Sequence, residues 1–298
     1  MIKFKCHTTI LTALLLVLTV TVQAHPTGNM ITVGPYVLWS YINPVDDPKH
    51  HACVMIWEEG SEPKVFIQSY YAASDFMLYN NQSDIYIIER RYFQSTENFE
   101  IRILKATVDS EPKIIWNWFK DEWRIGEGGF FMISDDQIVF AMYPNIYTLK
   151  KGEIPIIYFE FDHPLKKIRA KENNQILLLG DNACFLVQQD GTALKQWDKL
   201  IDNEVRYAPL NLNQIFDSDY DNGELLLAYW GNRSFDIIDE SGHRRTLVQQ
   251  SDPLAPHWVA FSGNKLLLFS SELIFDGSTP KPHLVIYNNE NEKLIWGK

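Results

Sequence analysis

A unit of strand, polar turn and second apolar strand recurs along this chain, and recurrence at a near-fixed spacing constrains a fold more than any local motif. Phe76–Tyr79 and Ile85–Ile88 flank the turn 80–84, Phe130–Ile133 and Ile138–Phe140 flank 134–137, and Lys167–Ala170 and Ile176–Leu179 flank 171–175. Ile215-Phe216 and Leu225–Leu227 flank a longer polar stretch, Asp217–Glu224, and Trp258–Phe261 and Leu266–Phe269 flank 262–265. The second strands begin at Ile85, Ile138, Ile176, Leu225 and Leu266, at intervals of 53, 38, 49 and 41 residues. A further hairpin follows each unit. Cys184–Val187 leads through Gln189-Asp190-Gly191 to a strand ending at Trp197, Phe235–Ile238 leads to Thr246–Val248, and Leu284–Tyr287 leads to Leu294–Trp296. Short apolar runs joined by Asn, Asp and Gly turns are strands in hairpins. Four such strands per period are the blade of a β-propeller.

Five complete units and a partial one at the front (Tyr36–Tyr41, Ala52–Trp57, Lys64–Gln68) predict an all-β, six-bladed propeller, with five or seven blades as alternatives. Strands from both chain ends completing one blade would account for the short first unit. Two segments also carry helical spacing: Leu194, Trp197, Leu200 and Ile201, and Lys113–Ile125 with its three tryptophans. Both follow a hairpin turn at the repeat position, so strands are expected there.

Residues 1–24 read as a signal peptide: Lys3 and Lys5 precede the uncharged run Ile10–Val22, and Val22-Gln23-Ala24 supplies a cleavage pattern. That run has 13 residues, short of the roughly 20 that span a bilayer. Cys6 lies before it, which departs from the lipid-anchor arrangement. A single propeller domain is expected over 25–298, with no membrane segment after cleavage, in the periplasm or secreted. The formal charge of −11 argues against a nucleic-acid partner, since phosphate contacts need clustered Lys and Arg.

Asp190-Gly191-Thr192-Ala193-Leu194-Lys195-Gln196-Trp197 and Glu292-Lys293-Leu294-Ile295-Trp296 resemble the blade ends of bacterial exported propellers, especially the quinoprotein-like repeats. The resemblance implies that a Gly turn leads into a strand whose terminal Trp packs between blades. Arg245–Gln249 lacks that Trp, and the acidic-Gly-Lys signature is nowhere intact. Members of that family include enzymes, scaffolds and binding proteins, so fold alone does not assign function.

Motifs with chemical content are few. Asp217–Gly223 resembles a calcium loop, but its glycine comes one residue late and no bidentate acid follows, so a hairpin turn ending in Asn222-Gly223 is expected. Asp46, Asp47, His50 and His51 sit between Pro44 and Pro48 or just beyond, and adjacent histidines on an extended chain point apart. Glu127-Gly128-Gly129 reads as an interblade turn. Asn81-Gln82-Ser83 and Asn232-Arg233-Ser234 match the glycosylation sequon in expected loops. No nucleophile elbow, zinc-hydrolase helix or phosphate-cradling loop is present. No catalytic, cofactor-binding or metal-ligating residue is assigned, and no cofactor is expected. The expected function is non-catalytic binding of an extracytoplasmic protein or glycan, and the alternative is a secreted hydrolase or lyase working from the central channel.

After cleavage two cysteines remain, Cys53 and Cys184. Aligning Gly60 with Gly191 superposes Ala52-Cys53-Val54 on Ala183-Cys184-Phe185 and puts both thiols on third strands of opposite blades. Such strands lie on the order of 30 Å apart, from the strand spacing of about 4.8 Å, and a disulfide needs Cα atoms within about 7 Å. Two free, buried thiols are expected.

Overall fold

The structure, a computed structural model, describes residues 28–42, 51–71, 74–93, 98–142, 144–202, 212–273, 281–288 and 291–297. Six antiparallel four-stranded sheets follow one another along the chain. Blade 1 holds β1 (Met30–Val33), β2 (Tyr36–Ile42), β3 (Ala52–Glu58) and β4 (Lys64–Gln68). Blade 2 holds β5 (Ser74–Asn81), β6 (Asp84–Phe93), β7 (Asn98–Ala106) and β8 (Lys113–Lys120). Blade 3 holds β9 (Phe130–Ser134), β10 (Gln137–Met142), β11 (Asn145–Lys150) and β12 (Ile156–Glu160). Blade 4 holds β13 (Leu165–Lys171), β14 (Gln175–Gly180), β15 (Ala183–Gln188) and β16 (Ala193–Asp198). Blade 5 holds β17 (Ile215–Asp221), β18 (Glu224–Tyr229), β19 (Ser234–Ile238) and β20 (Arg244–Gln249), and blade 6 holds β21 (Leu254–Ser262), β22 (Lys265–Glu272), β23 (Pro282–Asn288) and β24 (Asn291–Gly297). The ring closes because β1 packs on both β5 and β21. The protein is a six-bladed all-β propeller, and the two segments with helical spacing lie mostly in the outer strands β8 and β16, with 121–125 and Leu200–Ile201 just beyond them.

Burial explains why the middle strands read as continuous apolar runs. Six hydrophobic clusters occupy the six seams between neighbouring blades. Side chains alternate along each strand, so both faces must be apolar. In β3, Cys53, Met55 and Trp57 face blade 6, whereas Ala52, Val54 and Ile56 face blade 2. The tryptophans closing the fourth strands behave as the repeat resemblance implies. Trp116, Trp197 and Trp296 pack into the seams toward blades 3, 5 and 1, and Trp296 stands edge-on to Tyr41 at 4.8 Å.

Three expectations need correction. The first unit is complete: Met30–Val33 pairs with β2, so blade 1 is built from one contiguous stretch, and among the described residues no strand crosses from the other chain end. The strand was missed because four residues next to a Gly34-Pro35 turn carry too little periodicity to read. Asp217–Asp221 is strand, not turn, and only Asn222-Gly223 makes the hairpin. The third correction concerns the cysteines. Both are free and buried on third strands of blades 1 and 4, as expected. Yet Cys53 faces the seam with blade 6, behind its blade, and Cys184 faces the seam with blade 5, ahead of its blade. Tyr36↔Glu58 and Gln175↔Gln188 are the equivalent pairs next to the turn, which makes Val54 the counterpart of Cys184. The ungapped alignment was one residue out of register, and such a slip turns every side chain to the other face.

Candidate functional site

Propeller sites sit in the axial channel or on the two faces. The channel is lined by the first strand of each blade, and three of those strands determine its chemistry. Along β13 the sequence Lys167-Ile168-Arg169-Ala170-Lys171 places a cation at every second position, and a period of two brings all three to one face. The adjacent β17 answers with Asp217 and Asp219, 2% and 3% exposed. Arg169 spans both carboxylates, at 2.9 Å from Asp217 and 3.2 Å from Asp219. Lys171 reaches Asp219 at 2.8 Å and Lys167 lies 3.6 Å from Asp217.

Backbone groups of β21 complete the arrangement. Val259 N–H donates to Asp217 (3.2 Å), Phe261 N–H donates to Asp219 (2.9 Å), and Arg169 donates to the Val259 carbonyl (3.0 Å). Asn29 makes a paired contact with the Leu78 backbone at 2.7 and 2.8 Å, and Thr32 donates to the Phe261 carbonyl at 3.1 Å. The inner strands are thus laced to one another around the axis. One void among these inner strands, bordered by β1, β5 and β13, has about 60 Å³, room for a few waters.

The electrostatics follow from burial and pairing. Burial alone would raise the Asp219 carboxyl, but Lys171, Arg169 and the Phe261 N–H outweigh it and hold the group below the usual carboxylate range. Burial opposes the Arg169 charge, and the two aspartates more than restore it. Lys167 goes the other way: burial, reinforced by Arg169, lowers its ammonium against the single pull of Asp217. Its Nζ is buried with no hydrogen-bond partner and lies 4.8 Å from the Phe216 ring centroid.

The second concentration of charge lies on blade 2, at the end of the ring opposite the β5–β6 turn. Arg90 is held by Asp75 and Glu127, each at 2.7 Å. The Arg91 guanidinium stacks on Trp118 (3.9 Å), Tyr71 and Phe93 (4.5 Å each) and pairs with Glu100 at 2.7 Å. Glu89, fully buried, takes hydrogen bonds from Arg102 and Ser69 at 2.6 Å each. Each cation here already has its anion, so this cluster stiffens the blade and presents Tyr70, Tyr92 and Phe99 to solvent beside it.

The sequence candidates are distributed as follows. Asp217 and Asp219 face the axis with cations on them, while Asp221 ends the strand near the turn. Residues 46, 47 and 50 lie outside the described residues, and His51 immediately precedes β3. Glu127-Gly128-Gly129 is the connection into β9, as expected. Gly129 is required there, because its φ is +83° and a Cβ would stand 2.3 Å from the Ile168 carbonyl oxygen. Asn81 is exposed beside the β5–β6 turn and Asn232 lies in the β18–β19 turn. Among the described residues no three His, Cys, Asp or Glu side chains gather as a metal site. Among the same residues no helix is long and apolar enough to cross a membrane. Lys167, Arg169 and Lys171 were missed, although the alternation of charge along an expected strand was a readable signal that the positions share one face.

No protein-family model and no curated protein matches the chain. Solved structures do. A chain of the nidogen/laminin complex superposes with TM-score 0.53 at 13% identity, covering 88% of this chain and 90% of that one. A puromycin hydrolase superposes with TM-score 0.51 at 11% identity over 94% of this chain, which spans 55% of the hydrolase. A virginiamycin B lyase from Staphylococcus aureus gives TM-score 0.49 at 10% identity, covering 84% and 94%. At such identities the likeness is one of fold.

Proposed function

We propose that this chain is an exported, non-catalytic binding propeller that meets a protein or glycan partner through its faces and rim. The observation that carries the reading is the channel: three cations of β13 and two aspartates of β17 pair inside it, and the void beside them has about 60 Å³. Ligand clefts run to about 300–1,000 Å³. The alternative, a hydrolase or lyase working along the axis, needs carboxylates free to take and give protons. Asp217 and Asp219 are instead committed to cations and to backbone N–H groups. Export rests on the leader pattern of residues 1–24. The test is retention of envelope or culture-medium proteins, and of glycans on an array, by the immobilised chain. Retention that survives Arg169→Met supports a site on the faces. Turnover of a substrate by the purified chain, abolished by Asp217→Asn, would replace this reading with the enzyme.

A further inference from the structure

On the face of the ring that carries the first–second and third–fourth strand turns, blades 1 and 2 part to leave a groove of about 520 Å³. Its volume lies within the range of clefts that bury most of a ligand of a few residues. One wall is the β3–β4 turn and the start of β4, and the other is the β7–β8 turn, 107–112. Both walls are set before any ligand arrives. Ser61 N–H donates to the Glu58 carbonyl (3.0 Å) and Trp57 Nε1 donates to the Ser61 carbonyl (3.0 Å). Across the groove, Thr107 N–H donates to Ser110 Oγ (2.8 Å).

The floor is the exposed margin of the hydrophobic cluster between the two blades, where Tyr36, Phe66 and Val108 are only partly buried. Val65 beside them is 43% exposed. The rim is mostly acidic. Glu58, Glu62, Asp109 and Glu111 line the groove against a single cation, Lys64. None of the four carboxylates has an ion-pair partner among the described residues, whereas the adjacent Glu59 is taken by Lys265 at 2.5 Å. In addition, Lys64, Val65 and Phe66 belong to β4, the outermost strand of its sheet, whose far edge pairs with no other strand. An unpaired edge offers backbone N–H and C=O groups to an extended chain, with alternate side chains directed in and out.

We propose that this groove docks an extended peptide segment of a protein partner, with apolar side chains on the Tyr36–Phe66–Val108 floor and Lys or Arg side chains against the four free carboxylates. The proposal rests on the binding reading above and narrows its partner to a basic, amphipathic stretch of polypeptide. The open strand edge, whose N–H and C=O repeat an extended backbone matches, is what selects a peptide over a glycan.

The experiment uses the full chain and two fluorescein-labelled seven-residue peptides, one alternating Lys with Val or Leu and one with Glu in place of every Lys. Fluorescence anisotropy should detect saturable binding of the basic peptide, weakened severalfold between 50 and 200 mM salt, and none of the acidic one. The triple variant Glu62→Lys/Asp109→Lys/Glu111→Lys, at three exposed turn positions, should lose at least tenfold in affinity while its melting temperature stays that of the wild type. Val65→Lys should weaken binding as well, whereas Ile156→Lys, on the exposed outer strand of blade 3, should leave it unchanged. Equal binding of both peptides, no binding of the basic one, or an unaffected triple variant would overturn the groove. If the triple variant still retains a partner or glycan that the wild type retains, the groove proposal fails and the binding reading stands. If the wild type retains nothing and turns over a substrate, the binding reading itself fails.

Discussion

Asp219→Asn is the most informative single perturbation of this ring. The side chain keeps its shape but loses the charge that Lys171 (2.8 Å) and Arg169 (3.2 Å) share, inside a channel where it is 3% exposed. Lys171 is left without its anion, Arg169 retains only Asp217, and the new amide presents N–H groups to donors. Breaking a buried pair by removing one partner costs about 3–5 kcal/mol, because a charge is stranded away from water. Arg169 keeps one partner and Lys171 is one-fifth exposed, so the lower end applies, about 3 kcal/mol. For a chain of this size that lowers Tm by roughly 5 °C. Thermal unfolding followed by far-UV circular dichroism measures it. The pH dependence supplies the sign. The carboxyl sits below its ordinary value in the folded chain, so its contribution is present above about pH 4 and is lost as pH falls through the lowered native value. The gap between wild type and variant should therefore hold from pH 8 to 5 and close only in acid. Lys171→Met added to Asp219→Asn should cost less than the two separately, with a coupling of about 1 kcal/mol or more. A Tm within 1 °C of wild type, or strictly additive effects, would refute the account of the channel as a coupled network.

Four further outcomes are expected. Alkylation of the denatured, unreduced chain beginning at His25 should modify two cysteines by mass; in the native chain neither should react at pH 8, since burial pushes the Cys184 thiol up to about 12. Trp39→Ala, at a fully buried position in the seam between blades 6 and 1, should cost about 3–5 kcal/mol in urea unfolding. Gly129→Ala should cost more than about 1 kcal/mol by the same measurement, because a Cβ there meets the Ile168 carbonyl in a left-handed backbone. Excess EDTA should leave Tm unchanged, since Asp217 and Asp219 of the calcium-like segment are paired with Arg169, Lys167 and Lys171; a fall of several degrees would mean a bound cation.

The blade count was legible because a turn must interrupt every strand pair and turns have their own chemistry. Asn222-Gly223, Asp190-Gly191 and Ser241-Gly242 mark hairpins whatever packs around them. What lay beyond reach had two physical causes. The first is that polarity imitates a turn: Asp217-Ser218-Asp219 reads as solvent-exposed until the partner cations on a strand 48 residues away are placed beside it. The second is that a strand buried on both faces carries no period-two signal. Ala52–Trp57 is buried throughout, so nothing in its composition says which residues look toward blade 6 and which toward blade 2. The cysteine register slipped for that reason, and the groove between blades 1 and 2 was invisible for a related one. Its walls are turns some 50 residues apart, at 58–63 and 107–112, that only ring closure brings together.

Closure itself raises an energetic question that the six seams answer differently. Five seams join blades that are consecutive in the chain, but the sixth must bring β1 against β21 across more than two hundred residues with no strand exchanged between the ends. Closing a loop of that length costs about 5 kcal/mol in chain entropy. The seam between blades 6 and 1 is where the tryptophans concentrate. Trp39, Trp57 and Trp258 are buried in it, Trp258 stacks on Phe269 at 4.7 Å, and Trp296 packs against Trp39 and Tyr41. Each large aromatic buries roughly 150–250 Å², worth about 4–6 kcal/mol at 25 cal/mol per Å², so three of them exceed the closure cost two- or threefold. The Thr32–Phe261 hydrogen bond and the Lys265–Glu59 pair add little beside that. A propeller without strand exchange at its seam is held shut by packing, and in this chain the side chains that do it come from the first blade and the last.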